Sequence, residues 1–255
     1  MGYYWKNFLA NVKSIMEYRF SFITQCIGMM INDGFWLFFW WAIYAKFDTI
    51  KGYTFQDNML LFALGAASFG MTGTIFGNWR SIAEFISRGE LDRYLTIPKN
   101  VLMNLLTGRV YFDGVGDFLF GILIILVFLP ASKWLLFMFF VITAGILLTD
   151  LMVIVGSFGF WFGRTEDFSD QFVFGFINFT MYPFSIFDGV IKFLFFTALP
   201  VGFIVGIPVE LLKNFNWTSM LFLIGYTVMF TALAYWFFYK GLKKYEGGSA
   251  MTIRL

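Results

Sequence analysis

Two acidic residues stand where lipid would otherwise surround them. Asp33 falls about midway along the apolar run 21–45, and Asp150 falls well inside the run 134–162. A charge at the bilayer centre costs about 2.5–3.5 kcal/mol on insertion scales, so such carboxyls face the protein interior or a wet cavity. Two roles suit them. They can line a path for cationic or polar substrates, or carry protons along it. Alternatively, each is hydrogen-bonded for structure to Asn, Thr or Tyr on a neighbouring helix. Asp113 and Asp117 open the run 110–129, and Asp117 reads as a helix-positioning residue or as a contact to a charged insert nearby. Glu166, Asp167 and Asp170 form a short acidic stretch that reads as a solvated face. The chain has no His, which removes the commonest proton shuttle and metal ligand, so no metal is expected. The lone Cys26 reads as packing filler. No Gly-x-x-x-x-Gly-Lys-Ser/Thr loop occurs, so ATP binding by this chain is not expected and no residue is assigned a catalytic role.

The elements that hold these residues are set by composition. The chain has 255 residues, is 59 % hydrophobic and only 13 % charged, and contains 38 Phe; its mean hydropathy is +0.74. An ordinary soluble domain is about one quarter charged, so this is an integral membrane protein. The apolar runs are continuous, which argues against a barrel. Helices then remain as the structure that satisfies its own backbone in lipid. A net charge of +2 is too small to suggest a nucleic-acid partner.

Six runs, 21–45, 56–79, 110–129, 134–162, 168–187 and 217–239, reach the roughly 20 residues a crossing needs. A seventh apolar segment, 190–209, contains Pro200 and Pro208 with Gly202 and Gly206 between them. It reads as a re-entrant pair of short helices that returns to the side it came from. Six crossings from a cytoplasmic N-terminus leave Lys46, Lys51, Lys133, Lys192 and Lys213 outside and every other Lys and Arg inside, Arg254 of the tail included. That asymmetry is the expected one, and seven crossings would put the basic tail on the wrong face. Residues 1–20 read as an interfacial amphipathic helix rather than a cleavable signal. Trp5, Phe8, Leu9, Val12, Ile15 and Met16 fall near one face, and Lys6, Asn7, Lys13, Ser14 and Glu17 fall largely on the other. The expectation is an all-α membrane protein: a single domain over residues 1–255, multi-pass in the cell membrane, with both termini cytoplasmic.

The longest polar interruption is "RSIAEFISRGELDRYLTIPKN", residues 80–100. Its spacing predicts a short amphipathic helix up to about Ser87, a helix end at Gly89 where positive φ is often needed, and a second turn stopped before Pro98. Held between two crossings, such a helix can transmit force; the alternative is a solvated connector.

At these residues the chain resembles a known family. "SRGELDRYLTIP", followed by "GVGDFLFG", is similar to the ABC-2 type permeases, the membrane subunits of one class of ATP-binding-cassette transporters. The later "YPFSIFDGVIKFLFFTALPVGFIVGIPVELL" resembles a six-span branch of that family. The matching positions are Gly89, Glu90, Leu91, Asp92, Pro98, Gly116, Asp117, Tyr182, Pro183, Pro200 and Pro208, and the resemblance covers nearly the whole chain. It implies that the insert is a coupling helix docked in a groove of a separate ATPase, through Ile82, Glu84, Phe85, Arg88, Gly89, Glu90, Leu91 and Asp92. It implies an outer gate marked by Tyr182, Pro183, Pro200 and Pro208. It also implies two permease subunits, identical or homologous, above two ATPases that hold ATP and Mg.

Small residues crowd the second run, among them Gly65, Gly70, Gly73 and Gly77. They suit either a seam between two permeases or close packing within one. Trp36, Trp40, Trp41, Trp79, Trp134, Trp161 and Trp217 read mostly as interfacial anchors. The reading that follows is the membrane subunit of an ATP-driven exporter. Its rival is a proton-driven secondary transporter that uses Asp33 and Asp150.

Overall fold

The computed structural model describes residues 2–17, 19–111, 113–245 and 247. Arg254 lies outside them, as do the side chains of Trp5, Ser14, Ile15, Met16 and Asp113. The helices run in chain order α1 (Gly2–Met16), α2 (Arg19–Tyr44), α3 (Phe55–Ile75), α4 (Ile82–Ser87), α5 (Asp92–Leu95), α6 (Val101–Leu106), α7 (Asp113–Phe128), α8 (Trp134–Ser157), α9 (Gly159–Phe162), α10 (Glu166–Thr180), α11 (Gly189–Phe195), α12 (Ile207–Lys213) and α13 (Trp217–Leu242). Among the described residues there is no strand.

Among the described residues four helical segments are long and apolar enough to cross a membrane: α2, α3, α8 together with the turn before it and α9 after it, and α13. The third and fifth runs give shorter helices. α7 has 16 residues, about 24 Å at 1.5 Å per residue, and α10 has 15. Local chemistry sets the ends. Thr54 and Asp57 form a reciprocal capping box at the start of α3. Asn216 accepts from Thr218 N at 2.8 Å and starts α13. Gly163, at φ +74°, ends α9.

α3 and α8 form the centre. Met59 to Leu64 on α3 are buried, as are Phe137, Phe140 and Val141 on α8. α3 and α7 meet along small residues, because a side chain at Gly70 would overlap the Gly114 carbonyl and one at Gly121 would overlap Ala63 and Ala67. Close backbone approach is how helices gain packing energy in lipid. α2 lies outside this pair. It rests on α7 where Gly116 passes under Cys26, and most of its surface is exposed. Trp40 and Trp79 are buried (3 % exposed each), so these two serve the core rather than an interface.

Polar contacts gather the connections at two ends of the bundle. At one end Tyr3 donates to Asn104 (3.2 Å), Ser87 donates to Glu166, and Gly247 stands against Asp92. At the other end Lys51 pairs with Asp188 (2.5 Å), Lys213 pairs with Asp57 (3.1 Å), and Lys133 donates to the Leu212 carbonyl. α3 joins the two, with Asp57 near one end and Gly77 just past the other.

The proline-glycine segment is broken, as its composition predicts. α11 stops at Phe195, a wide turn covers Gly202–Gly206, and α12 carries Pro208 in its first turn, where a missing N–H costs nothing. The Pro200 carbonyl accepts from Phe203 and Ile204 (3.0 and 2.8 Å) and starts the second piece. Val201, Phe203, Ile204 and Val205 are buried, with Phe203 stacked on Tyr226 at 3.6 Å. By contrast, Val190 and Phe193 of α11 are exposed.

Candidate coupling insert and intramembrane carboxyls

The insert is folded onto the bundle rather than free in solvent. Asn78 is its hub: the amide donates to the Leu105 carbonyl (2.8 Å) and the Tyr94 hydroxyl (3.3 Å), tying α6 to the residues after α3. α4 then follows the predicted span. It closes with Gly89 at φ +70°, the Glu90 N–H on Phe85 O (2.9 Å) and the Gly89 N–H on Ile86 O (3.2 Å). This is the paired C-terminal motif that favours glycine. The apolar face of α4 is used inside the chain. Ile82 and Ala83 lie against Gly156 at the end of α8, and Ile86 lies against Gly159. Ile82, Leu91 and Gly89 are therefore buried and seat the insert, whereas Arg88 and Asp92 are exposed and Glu84, Phe85 and Glu90 are half-buried. Glu84 and Arg88 pair with each other at 2.7 Å.

The acidic stretch is not simply a solvated face. Glu166 accepts from Ser87, and Asp170 stands 3.9 Å from Arg80, whose guanidinium lies 5.0 Å over Phe174. The Ser87 hydrogen bond, with help from Arg164 and Arg88, holds the Glu166 carboxyl below its ordinary 4.5. The tail closes on the insert too, because the Tyr245 phenol faces the Asp92 carboxylate. Burial pushes that phenol up to about 12, so it remains a donor at neutral pH. A cavity of about 250 Å³ sits beneath these ties, lined by Gly73, Gly77, Arg80, Glu84 and Tyr111.

Asp33 and Asp150, the two carboxyls that the sequence places at membrane depth, are buried, and so is Asp117. Asp150 on α8 accepts from Thr231 on α13 (2.5 Å). Asp33 on α2 is hydrogen-bonded to Asp117 on α7. Asp117 thus meets α2, which its sequence position did not reveal. The second-run glycines divide. Gly70 and Gly77 press on Gly114 and Arg109 of the same chain, while Gly73 has nothing within 4 Å of a would-be side chain. At the far end Tyr182 packs edge-on to Trp40 (5.7 Å), and Pro183, Pro200 and Pro208 are all buried. Asn78, Ser87, Arg80 and Thr231 escaped the sequence reading. Only Asn78, a lone amide at the end of an apolar run, carried a visible signal.

These features define a multi-pass helical membrane protein built around a polar insert and glycine-packed helices. The sequence matches the family described as ABC-2 family transporter protein over residues 13–249, and the chain belongs to that family. It is accordingly a membrane subunit of an ABC transporter, a family whose members work with an ABC ATPase. No curated protein and no solved structure matches the chain.

Proposed function

We propose that the chain is the permease of an ATP-driven exporter and crosses the membrane six times, by α2, α3, α7, α8, α10 and α13, with both termini in the cytoplasm. The polar contacts support this count. Residues 3, 87, 166 and 247 share one end of the bundle, and residues 51, 57, 133, 188 and 213 share the other. Both flanks of α11 and α12 belong to the second group, which favours a re-entrant outer pair. Export as the direction rests on the family resemblance.

The observation that carries the functional reading is the seating of the insert. Its apolar face is fixed to α8 and α9, its flank is tied to α10, and Arg88, Asp92 and Arg93 are left exposed at the cytoplasmic end. A partner ATPase holding ATP and Mg grips that charged face. Its closure displaces α4, and the displacement reaches α8 and α10 as well as α3 and α7. The second permease covers the α2 and α10 face, where Gln25 and Asn32 on α2, with Gln171 and Asn178 on α10, are exposed at membrane depth. Amides facing lipid are costly, and a neighbouring helix relieves them. This assigns Gly70 and Gly77 to packing within the subunit.

The test is a charge exchange, Glu84→Arg with Arg88→Glu. It keeps the 2.7 Å pair within the helix while inverting the face shown to the ATPase. Loss of ATPase co-purification and of substrate-stimulated hydrolysis is expected. Full retention of both removes the insert as the docking element.

A further inference from the structure

The cavity of about 250 Å³ beneath the insert stands where the crossings end. Gly77 lies just past α3, and Glu166 and Asp170 belong to the first two turns of α10. Gly73 opens onto it: the residue is buried, yet a side chain built there meets nothing within 4 Å. The walls carry both signs of charge. Among the described residues Arg80 is the one cation that lines the cavity, and Glu84, Glu166 and Asp170 are its acids. Arg80 and Asp170 face each other at 3.9 Å, too far for a hydrogen bond between them. Glu84 meets Arg88 through Oε1, and Glu166 accepts from Ser87 through Oε1. A carboxylate has about four lone-pair sites, so each keeps acceptor capacity.

One rim is apolar. The Arg80 guanidinium lies 5.0 Å over the ring of Phe174, which is 56 % exposed on α10. Phe69 lines this cavity and a second one, of about 210 Å³, which Ala66, Phe174 and Ile177 also line. An apolar groove therefore leads from the charged chamber along α3 and α10 toward membrane depth.

Charge and shape together select the occupant. A guanidinium holds a phosphate by charge-assisted hydrogen bonds. A lone phosphate would stand against three carboxyl groups, and a lone ammonium would meet Arg80; like charges placed together are costly. A head that joins phosphate to ammonium answers both. A primary ammonium gives hydrogen bonds to carboxylates, whereas a quaternary one has no hydrogen to give. The groove accommodates acyl chains, which a water-soluble zwitterion lacks.

We propose that this cavity binds the head of a phospholipid that pairs a phosphate with a primary ammonium. The phosphate sits on Arg80, the ammonium among Glu84, Glu166 and Asp170, and the acyl chains run along Phe69 and Phe174. The lipid then fills the joint between the insert and α10. That its leaflet is the cytoplasmic one rests on the permease reading; the binding site does not.

The test uses the complex purified through a tag on this chain and held in detergent. Phosphatidylethanolamine, phosphatidylcholine and phosphatidylglycerol of identical chains are added in equal amounts, and native mass spectrometry counts the lipid kept after washing. The ethanolamine lipid is expected to be kept in excess over both others. Arg80→Gln should weaken its retention on the order of tenfold. Gly73→Leu, which fills the chamber without touching a charge, should weaken it as much. Lys51→Gln, at the far end of the bundle, should leave it unchanged. Glycerophosphoethanolamine, the same head without chains, should compete only weakly. The proposal is overturned if the choline or the glycerol lipid is kept equally, if neither Arg80→Gln nor Gly73→Leu changes retention, or if the chainless head competes as well as the lipid. Whether an ATPase travels with the tagged chain is read from the same preparation. An ATPase present without retention of the ethanolamine lipid sinks this inference alone. Retention without an ATPase leaves the site standing and removes the permease reading.

Discussion

Thr231 on α13 donates its hydroxyl hydrogen to Asp150 Oδ2 on α8 at 2.5 Å, joining two helices that are 81 residues apart in sequence. Of the two roles that an acidic residue at membrane depth allows, the contact supports the structural one, which we propose for Asp150. A carboxyl bonded between two packed helices is a structural tie. Thr231→Val should therefore lower stability by about 1–3 kcal/mol by stranding the carboxyl, and Thr231→Ser should restore most of it. Thermal unfolding in detergent measures both. ATP-driven transport should survive Asp150→Asn, whereas a proton carrier at this position would lose it.

The glycines of α3 give a paired expectation. A methyl group at Gly70 would collide with the backbone of α7 at Gly114 and Phe118, which no side-chain rotation relieves, whereas one at Gly73 meets nothing within 4 Å. Gly70→Ala should cost about 1–3 kcal/mol through overpacking. Gly73→Ala should stay within about 0.5 kcal/mol. If melting temperatures show the two equally tolerated, α3 and α7 are not in backbone contact here.

Acidification should loosen the insert from α10. The Ser87 hydroxyl holds the folded-state value of Glu166 below 4.5, and Glu166 precedes the apolar part of its helix. A carboxyl depressed in the folded state contributes stability that is complete above its unfolded value, and this is lost as pH falls through the folded value. The tie is therefore whole at neutral pH and fades below about pH 4.5. Hydrogen exchange of α4, corrected for intrinsic rates, should rise at low pH in the natural protein. In Ser87→Ala it should already be raised at pH 7 and change less with acid.

What was legible in the sequence was what local pattern controls. The end of α4 at Gly89 followed from helix-terminus geometry, and the structure has φ +70° there. The break around Pro200 and Pro208 followed from missing donors, and two short helices replace one. The α4 apolar face at Ile82, Ala83 and Ile86 was visible as periodicity. Partners were not visible. Gly70 announces that something comes close, but that Gly114 does so depends on how α3 and α7 cross. Asp33 announces a need for a polar neighbour, yet Asp117 lies far along the chain. Ser87 and Glu166 each look like surface residues until α10 is laid beside the insert. Trp40 and Trp79 misled for the same reason, since an aromatic near a helix end serves an interface or a core depending on what covers it.

The contact between Ile82 and Gly156 sets the route by which motion would leave the insert. A side chain at Gly156 would overlap Ile82, so α4 sits directly on the end of α8. A lever attached only to its own flanking helices would move α3 and α7 and leave α8 still. Seated as it is, α4 cannot shift sideways without carrying α8, which packs along α13 and holds the Asp150–Thr231 tie. Gly156→Val should lift α4 from this seat while leaving α8 helical, since valine, although β-branched, has a higher helix propensity than the glycine it replaces. The expected result is a complex that still assembles but whose ATP hydrolysis no longer responds to substrate. Ile82→Val, which removes one methyl at about 0.5–1.5 kcal/mol, should retain the response. If Gly156→Val hydrolyses ATP with undiminished substrate stimulation, the force does not pass through α8.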